Sequence, residues 1–177
     1  MKQLIIIFLI FFFTGCSVNT VKLPTSYNHH FTGKQKAKRI SAINQCGFIL
    51  NSYLDARESK SLGFVALTIV ESDVEAWLLS ALEKNNIKAQ NNMANAHIDV
   101  TLVKAYIHSM QTSMAANVVI KVAFVNGKDK QKPKYYRGHE VSVNWASGEG
   151  EIAEALNKAM GNAIAKFREE SKEVYCT

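Results

Sequence analysis

Three stretches in the second half of the chain alternate hydrophobic with polar residues, and this period of two predicts strands. The first contains Ile98, Val100 and Leu102, and the second covers residues 117–124. The third runs over residues 135–145, where one face carries Val141, Val143 and Trp145 and the other Glu140, Ser142 and Asn144. We expect these three strands to be neighbours in one sheet.

Two other stretches have the helical period. Ser72 and Glu75 form a capping box, Asp73 adds a favourable charge, and Asn85 and Asn86 predict the helix end. The apolar stripe of this first helix consists of Val74, Trp77, Leu78, Ala81 and Leu82. The second stripe is the longest in the chain and consists of Ile152, Leu156, Ala159, Met160, Ala163, Ile164 and Phe167.

Two further strands are predicted before the first helix, at residues 46–54 and 63–70, and the polar residues 55–61 connect them as a hairpin or loop. The connection 126–133 begins with Asn126 and Gly127, a two-residue turn signal, but its length predicts a longer hairpin loop. The order of elements predicts an α+β fold. It is a two-layer domain with a largely antiparallel sheet of about five strands and two helices packed on one face.

The start of the chain has no such period, because every position from 4 to 13 is Leu, Ile or Phe. Lys2 precedes this run, and the small residues Thr14 and Gly15 follow it. As a helix, ten residues rise about 15 Å, roughly half of the hydrocarbon thickness of a bilayer. The run is therefore short for a permanent span, and we expect a secretory leader that is removed.

The exit from this leader, Thr14-Gly15-Cys16, resembles the bacterial lipobox, whose cysteine becomes the lipidated first residue. The resemblance implies an acylated Cys16. Ser17 implies the outer membrane, since Asp at this position favours retention in the inner membrane. The alternative is an ordinary secreted protein whose cysteine follows a small residue. Stable anchoring needs more than one acyl chain, because each buried CH2 contributes about 0.8 kcal/mol.

The leader divides the chain into three predicted parts. Residues 1–15 are the signal peptide, residues 16–39 the lipidated N-terminus and a flexible basic tether, and residues 40–177 a single α+β domain that faces the periplasm. The tether prediction rests on Pro24, Gly33 and the absence of a sustained period. Its cations are Lys34, Lys36, Lys38 and Arg39.

Two cysteines are left once Cys16 is assigned to lipid. Cys46 and Cys176 have no metal-ligand spacing, and an even pair in an oxidising periplasm suggests a disulfide first. A bridge between them would close nearly the whole folded part and stabilise it by about 4 kcal/mol on the chain-entropy model. The alternative is two free buried thiols.

The 177 residues carry a formal net charge of +6, and part of it is concentrated in one predicted hairpin. Phosphates of lipopolysaccharide, anionic lipid or the acidic surface of an envelope protein would suit such a patch. The alternative, which the pattern favours, is a hairpin tip that its charges keep soluble. The leader argues against nucleic acid as a partner. The candidate contact residues are Lys128, Lys130, Lys132, Lys134, Tyr136 and Arg137, next to Tyr135.

No residue pattern typical of catalysis is found in the chain. His97, His108 and His139 fall on or beside strands, without an HExxH, CxxC or GxSxG motif, which favours histidines on a sheet face. The pair His29 and His30 has no Cys or carboxylate nearby, so we expect no metal site and no cofactor. These observations predict a protein without enzymatic activity.

Several short motifs together resemble the YajG family of envelope lipoproteins, in order and spacing, over roughly residues 63–168. The resemblance implies a fold without a defined activity, so no catalytic residue is carried over. It also implies a binding role as an accessory subunit of an envelope transport or assembly system. The motifs are Leu82-Glu83-Lys84, Val125-Asn126-Gly127-Lys128, Tyr136-Arg137-Gly138 and Ala155-Leu156-Asn157-Lys158-Ala159-Met160.

Two functions compete on this basis. The first is a lipoprotein that docks onto an envelope protein through its sheet and basic hairpin. The second is a periplasmic carrier or chaperone for lipid or glycan, held between sheet and helices. A lined apolar cavity of about 300 Å³ or more would favour the carrier. A filled core beside an exposed apolar patch would favour docking.

Overall fold

The structure is a computed structural model, and it describes residues 19–20, 27, 47–58, 63–64, 68–69, 73–89, 94–110, 112–126, 129–130, 132–143 and 149–175. The two short strands β1 and β4 pair with each other, and the remaining strands form the main sheet. In chain order the elements are β1 (Asn19–Thr20), β2 (Gly47–Asp55), β3 (Gly63–Phe64), β4 (Thr68–Ile69), α1 (Val74–Lys84), β5 (Ile87–Lys88), β6 (Ala94–Ser109), β7 (Ser113–Asn126), β8 (Asp129–Lys130), β9 (Lys134–Val143) and α2 (Glu149–Tyr175).

The main sheet has the order β5–β2–β6–β7–β9, and its two halves differ in strand direction. β6, β7 and β9 are antiparallel neighbours, whereas β2 is parallel to both β5 and β6. A helical crossover explains the parallel half, because α1 lies between β2 and β6 in the chain and returns it to the same end of the sheet. With both helices on one side, this architecture confirms the predicted two-layer α+β fold.

The region before α1 differs from its prediction. The stretch 63–70 was predicted as one strand, but β3 pairs with β6 in the main sheet and β4 pairs with β1 in the small one. The polar connection after β2 is not a hairpin, since β2 and β3 both run parallel to β6. Within it, the guanidinium of Arg57 donates two hydrogen bonds of 2.8 Å to the carboxylate of Asp55, from Nε to Oδ1 and from Nη2 to Oδ2.

β6 is sixteen residues long, and a β-bulge allows it to keep one face buried from Ala96 to Ile107. Ile98, Val100 and Leu102 point to the core, and the pairing with β7 shifts between Leu102 and Lys104. The extra residue moves the buried positions to Ala105 and Ile107. The alternation that predicted this strand therefore ends where the bulge begins.

The helices cover the face of the sheet that these residues line. Every member of the two predicted apolar stripes is buried, which confirms both helices. At the centre, the ring of Phe167 on α2 packs against Phe48, Phe124 and Tyr136, with ring centroids 4.9, 6.1 and 5.4 Å apart. The indole Nε1 of Trp77 on α1 donates to Oδ1 of Asn157 on α2 at 2.7 Å and joins the two helices. Within the described residues, no helix has the length and apolar character to cross a membrane.

The ends of α1 show one correction and one confirmation. Asp73, not Ser72, is the N-cap, since its carboxylate accepts the backbone N–H of Ala76 at 2.9 Å. The predicted end is confirmed, because Asn86 has φ of 60°. Nη1 of the buried Arg168 on α2 donates to the carbonyl of Asn85, and burial lowers the pKa of Arg168 to about 10.

Gly138 lets α2 lie directly on β9. A Cβ at this position would stand 1.7 Å from the carbonyl oxygen of Ala159 and 2.6 Å from the backbone nitrogen of Ala163. Both atoms belong to the helix backbone, so no side-chain movement could make room. The absence of a side chain at Gly138 therefore sets the distance between the two layers at this strand.

The connection between β7 and β9 contains the short strand β8. Asn126 pairs with Asp129 and Val125 with Lys130, so only two residues separate the paired positions. The chain then pairs Lys134 with Val122 and continues as β9. The connection between β7 and β9 is therefore longer than a two-residue turn, as predicted, and the short strand β8 lies within it. Asn126 is itself a paired residue, so Asn126 and Gly127 do not form the two-residue turn that this dipeptide would signal.

Residues 16–39 contact the domain at two described points. β1 pairs in parallel with β4, Asn19 opposite Thr68 and Thr20 opposite Ile69. Tyr27 is only 2% exposed and belongs to the hydrophobic core, next to α1. The segment predicted as a tether is therefore in contact with the domain at both of these positions.

Candidate binding surface

The face of the sheet opposite the helices carries the outward residues of β6, β7 and β9, and we call it the open face. In β7 the inward residues at even positions from Met114 to Phe124 are all buried, whereas Val119, Lys121 and Ala123 between them are partly exposed. Antiparallel partners point to the same side, so the register of the three strands places their outward residues in rows. A binding surface can be built row by row from these pairs.

One end of the open face is apolar. His108, Ala115 and Val141 form one row, and Val143 follows beside Ser113. Val141 is 55% exposed and Val143 58%, although both side chains are apolar. Met110, at the turn between β6 and β7, is 47% exposed and donates its N–H to the carbonyl of Ser113 at 2.8 Å.

The middle of the open face is basic. Val119 lies between Lys104 on β6 and Arg137 on β9, and Lys121 occupies the next row beside Tyr135. The one acidic side chain on this face among the described residues of these strands is that of Asp99. Its Oδ1 already accepts from Nδ2 of Asn51 at 2.7 Å and from Oγ of Ser52 at 2.6 Å. Positive potential therefore dominates this band.

A buried amide fixes the geometry between the two parts. Asn117 is 4% exposed although it points to the open side, and its Oδ1 accepts from Nη2 of Arg137 at 2.7 Å. Nδ1 of His139 lies 3.1 Å from the same oxygen. In register, Asn117 stands between His139 and Tyr106, an exposed aromatic ring. The guanidinium and the imidazole are thus held in position before any partner arrives.

The structure separates the residues of the predicted basic patch. Arg137 lies in the basic band of the open face, whereas Tyr136 points the other way and is buried against Phe167. The prediction of Tyr136 as a contact residue is therefore wrong, since alternation along β9 sends neighbouring side chains to opposite faces. Its hydroxyl bonds to Glu170 of α2 instead.

Lys134 belongs to the side of the helices. Its Nζ donates to Oε1 of Glu170 in an exposed ion pair, and this lysine holds the pKa of Glu170 below its ordinary value. Lys132 is exposed. Lys128 lies outside the described residues, as does the side chain of Lys130. Cys16, Cys46 and Cys176 also lie outside them, so the acylation site and the bridge stay predictions.

The histidines lie where the sequence suggested. His97, His108 and His139 are exposed on the open side of β6 and β9. In the part of the chain that the structure describes, no three His, Cys, Asp or Glu side chains come together in a way that could hold a metal ion.

Two features of this surface were missed by the sequence reasoning. Asn117 was noted only as a polar position of a strand. Its burial had no signal in the sequence, because the register brings Tyr106 and His139 from other strands beside it. The exposure of Val141 and Val143 had no signal in the alternation, since a period of two does not say which face is covered.

The comparisons with known proteins give no family. No family model matches the chain, and no curated protein matches it. Among solved structures it is similar to a protein of family DUF330 from Xanthomonas campestris, with a TM-score of 0.45 and 8% identity over 88% of this chain and 94% of that one. It is also similar to a candidate lipoprotein from Caulobacter crescentus, with a TM-score of 0.38 and 7% identity over 77% of this chain and 92% of that one. For a lipoprotein from Neisseria meningitidis the TM-score is 0.26, with 13% identity over 61% of this chain and 94% of that one. The resemblance to the YajG family stays a prediction.

Proposed function

We propose that this chain is an outer-membrane lipoprotein, anchored through an acylated Cys16, that binds an envelope protein through the open face of its sheet. In this role it is a non-enzymatic component of an envelope assembly or transport system, with its domain in the periplasm. The proposed anchor is supported by the leader, in which ten apolar residues end directly before Thr14-Gly15-Cys16.

One observation carries the binding role, namely the contrast between a filled inner face and an uncovered outer one. The helices fill the inner face with buried side chains, and α2 approaches β9 so closely that Gly138 has no room for a Cβ. On the outer face, Met110, Val141 and Val143 expose about half of their surface. Exposed apolar residues that cluster in this way mark interaction sites. This contrast favours docking over a carrier that holds lipid or glycan between the layers.

The chemistry of the open face suggests what kind of protein it binds. Lys104, Lys121 and Arg137 require carboxylates opposite them, and the apolar end requires apolar residues beside those carboxylates. Tyr, Met and Arg side chains are enriched at protein interfaces. A second copy of this chain fits poorly, because a face-to-face dimer would enclose these cations with Asp99 as the one acidic side chain among the described outward residues of these strands. We therefore infer an acidic surface with an apolar edge on the partner.

Fixed geometry favours a protein surface over fluid lipid headgroups. Asn117 holds Arg137 and His139 in place before binding, so little conformational entropy is lost when a partner with fixed carboxylates docks. Mobile headgroups would gain nothing from this preorganisation. Binding to anionic vesicles that equals binding to envelope proteins would argue for the membrane instead.

The anchor is tested by the mass of the protein extracted from membranes. We expect an N-terminus at Cys16 that carries acyl chains. An unmodified thiol at Cys16 in the membrane-extracted protein would overturn the lipoprotein assignment, whatever the open face binds.

The docking face is tested by photo-crosslinking in intact envelopes from probes at Tyr106 and Val141. We expect a defined product that Lys104→Glu with Lys121→Glu abolishes. The matched control is Lys88→Glu. This exposed lysine lies on β5, which β2 separates from β6, and so outside the three strands of the open face. The exchange should leave the product unchanged. A second arm replaces Lys128, Lys130, Lys132 and Lys134 with Glu. Loss of the product in that arm alone would move the contact from the open face to the hairpin.

A further inference from the structure

One edge of the main sheet has exposed backbone in the part of the chain that the structure describes. β2 pairs with β6 from Gly47 to Asp55, but on its other side β5 pairs with it only at Phe48 and Ile49. Beyond these two residues, no described strand pairs with the outer side of β2. We call residues 51–54 the outer edge of β2, and all four are exposed.

The main chain of Tyr53 faces this outer side. Ala56 donates its N–H to the carbonyl of Leu102 on β6 at 3.0 Å, and the pairing with β6 is regular over residues 52–55. Successive residues of a strand turn their N–H and C=O groups to opposite sides of the strand. Leu54 therefore also faces β6, whereas Tyr53 faces away from it. The N–H and C=O of Tyr53 are placed to bind a further strand.

The side chains of the outer edge continue both faces of the sheet. Tyr53 lies opposite Val100, a buried residue of the covered face, and is 38% exposed. Leu54 lies opposite Thr101, in the row of Lys121 on the open face, and is 53% exposed. A strand added here would contact an aromatic ring on one side and an aliphatic side chain on the other.

The composition of this edge does not oppose pairing. Exposed sheet edges in natural proteins carry lysine or proline, or another element covers them. The outer edge of β2 reads Asn-Ser-Tyr-Leu, without a charge or a proline. On β9, at the other end of the sheet, Lys166 and Asn162 of α2 bind carbonyls of the strand. The two edges of one sheet thus differ, and that of β2 suits an incoming strand.

We propose that an extended segment of the partner protein joins the sheet as a strand beside β2, while the same partner covers the open face. The inference rests on the docking role proposed above and names the form of the contact. Main-chain hydrogen bonds to Tyr53 hold the strand, and its apolar side chains pack on Tyr53 and Leu54. Because Leu54 continues a row of the open face, one partner reaches from the face to the edge without a gap.

A second copy of this chain is a poorer occupant of the edge. Two copies joined edge to edge would lie side by side, so their open faces would not touch. Their contact would be limited to the stretch between Ile49, the last residue paired with β5, and Asp55, the end of β2. Stable interfaces use about 20–30 residues a side. A partner that also covers the open face supplies the remaining contacts.

Photo-crosslinking from two neighbouring positions in intact envelopes tests the added strand. Probes replace Tyr53 and Leu54 in turn. A strand has side-chain neighbours on both of its sides, so we expect both positions to give the product obtained from Val141. A partner confined to the open face would give this product from position 54 and not from position 53, which would overturn the proposal. A product with twice the mass of the chain would overturn it in favour of a second copy.

The control probe replaces Glu169, an exposed residue of α2 on the helix side of the sheet. We expect no product from this position. A product as strong as that from position 53 would show that the contact is not specific to the edge, and it would overturn the added strand.

The main-chain bond is tested by Tyr53→Pro and Tyr53→Ala, each read from the probe at Val141. Both variants lose the ring, but only proline lacks the N–H, and an edge strand accepts proline where this N–H faces outward. We expect a larger loss of product with proline than with alanine. Equal losses in the two folded variants would overturn the strand.

Hydrogen exchange gives a second reading that does not require the proline variant to fold. It compares the chain that carries the probe at position 141, alone and in the purified crosslinked product. We expect the amide of Tyr53 to exchange fast in the chain alone and slowly in the product, whereas the amide of Leu54, which faces β6, is slow in both. Fast exchange of Tyr53 in both samples would overturn the strand.

Failure of the docking role is read separately. A product from Val141 without one from position 53 removes the strand and leaves the proposed function standing. The absence of a product from both Tyr106 and Val141 removes the docking face, and the added strand with it.

Discussion

The covered and open faces of the sheet are built from the same strands but carry different kinds of residues. On β7, the covered side is a continuous apolar row from Met114 to Phe124, completed by helix side chains that are almost entirely buried. The open side of that strand carries Asn117, Val119 and Lys121, a mixture of polar, apolar and charged residues. Packing decides the residues of the first face. On the second, Asn117 is buried and bonded to Arg137 and His139, whereas Val119 and Lys121 are partly exposed.

This difference separates stability from binding along a single strand. Changes on the covered side remove buried contacts and should lower the free energy of unfolding. Changes at the exposed positions of the open side, unlike those at the buried Asn117, should leave folding nearly unaltered and act on partner affinity. An exchange at an exposed position of the open side that lowers stability as much as one on the covered side would contradict this separation.

Gly138→Ala should have the largest effect, because it acts on the closest contact of the covered face. The added Cβ would meet the helix backbone at Ala159 and Ala163, so α2 has to move away from β9. We expect a loss of about 3 kcal/mol in the free energy of unfolding, the upper range for overpacking. Urea unfolding followed by circular dichroism measures this loss.

Gly150→Ala is the matched control for this exchange. A Cβ at Gly150, in the first turn of α2, meets nothing within 4 Å. Alanine has the higher helix propensity, so a gain of up to about 1 kcal/mol is expected. Equal effects of the two exchanges would show that the close approach at Gly138 is not what holds the layers together.

Asn157→Leu should follow in size. It leaves the indole N–H of Trp77 without its acceptor in a place that water does not reach. Losing the partner of a buried donor costs about 1–3 kcal/mol. In combination with Trp77→Phe, which removes the donor, the two losses should be less than additive. Strict additivity in this double-mutant cycle would contradict a direct coupling between α1 and α2.

Sequence reasoning succeeded where burial follows a period and failed where a tertiary contact decides. The stripe from Ile152 to Phe167 predicted α2 because a helix that covers a sheet must be apolar at that spacing. Asp73 replaced Ser72 as the cap because either side chain could accept the N–H, and the choice depends on where the chain enters the helix.

The candidate site was less predictable for a physical reason. Lysines cluster visibly along the sequence, and this drew attention to the hairpin. The basic band on the open face joins Lys104, Lys121 and Arg137 from three strands, and only the register brings them together. Tyr136 was misassigned because neighbours in a strand point to opposite sides.

β9 forms an edge of the sheet, where the two faces meet. Side chains from α2 donate hydrogen bonds to backbone carbonyls of this edge. Nζ of Lys166 donates to the carbonyl of Arg137 at 2.9 Å, and Nδ2 of Asn162 to that of His139 at 3.0 Å. These carbonyls would otherwise be open to a strand of another molecule. Lys166→Ala with Asn162→Ala should cost about 1 kcal/mol per bond. It should also increase self-association in sedimentation velocity.

Lys158→Ala is the control for this edge. Lys158 lies on the same helix, where its Nζ is 2.9 Å from Glu154 and 3.8 Å from the side chain of Glu140 on β9. Among the described residues, no hydrogen bond from Lys158 to a backbone carbonyl of the edge is found. It should leave the protein as monomeric as the unaltered chain is under the same conditions. Self-association that rises equally in both variants would point to lost surface charge and not to an opened edge.

The ion pair between Lys134 and Glu170 should have the smallest effect, because both side chains are well exposed. The carboxylate of Glu170 accepts a hydrogen bond from the ammonium of Lys134, and this bond lowers the pKa of Glu170 below the ordinary value of 4.5. The stabilisation is therefore fully present above pH 4.5 and is lost as the pH falls through the lowered pKa. Glu170→Gln should remove a small part of the rise in urea midpoint between acid and neutral pH. Glu169→Gln, an exposed neighbour on α2, should change that rise less. The difference between the two should shrink in high salt. If the difference between the two variants persists in high salt, Glu170 stabilises the fold through its hydrogen bond to the buried Tyr136 and not through the ion pair.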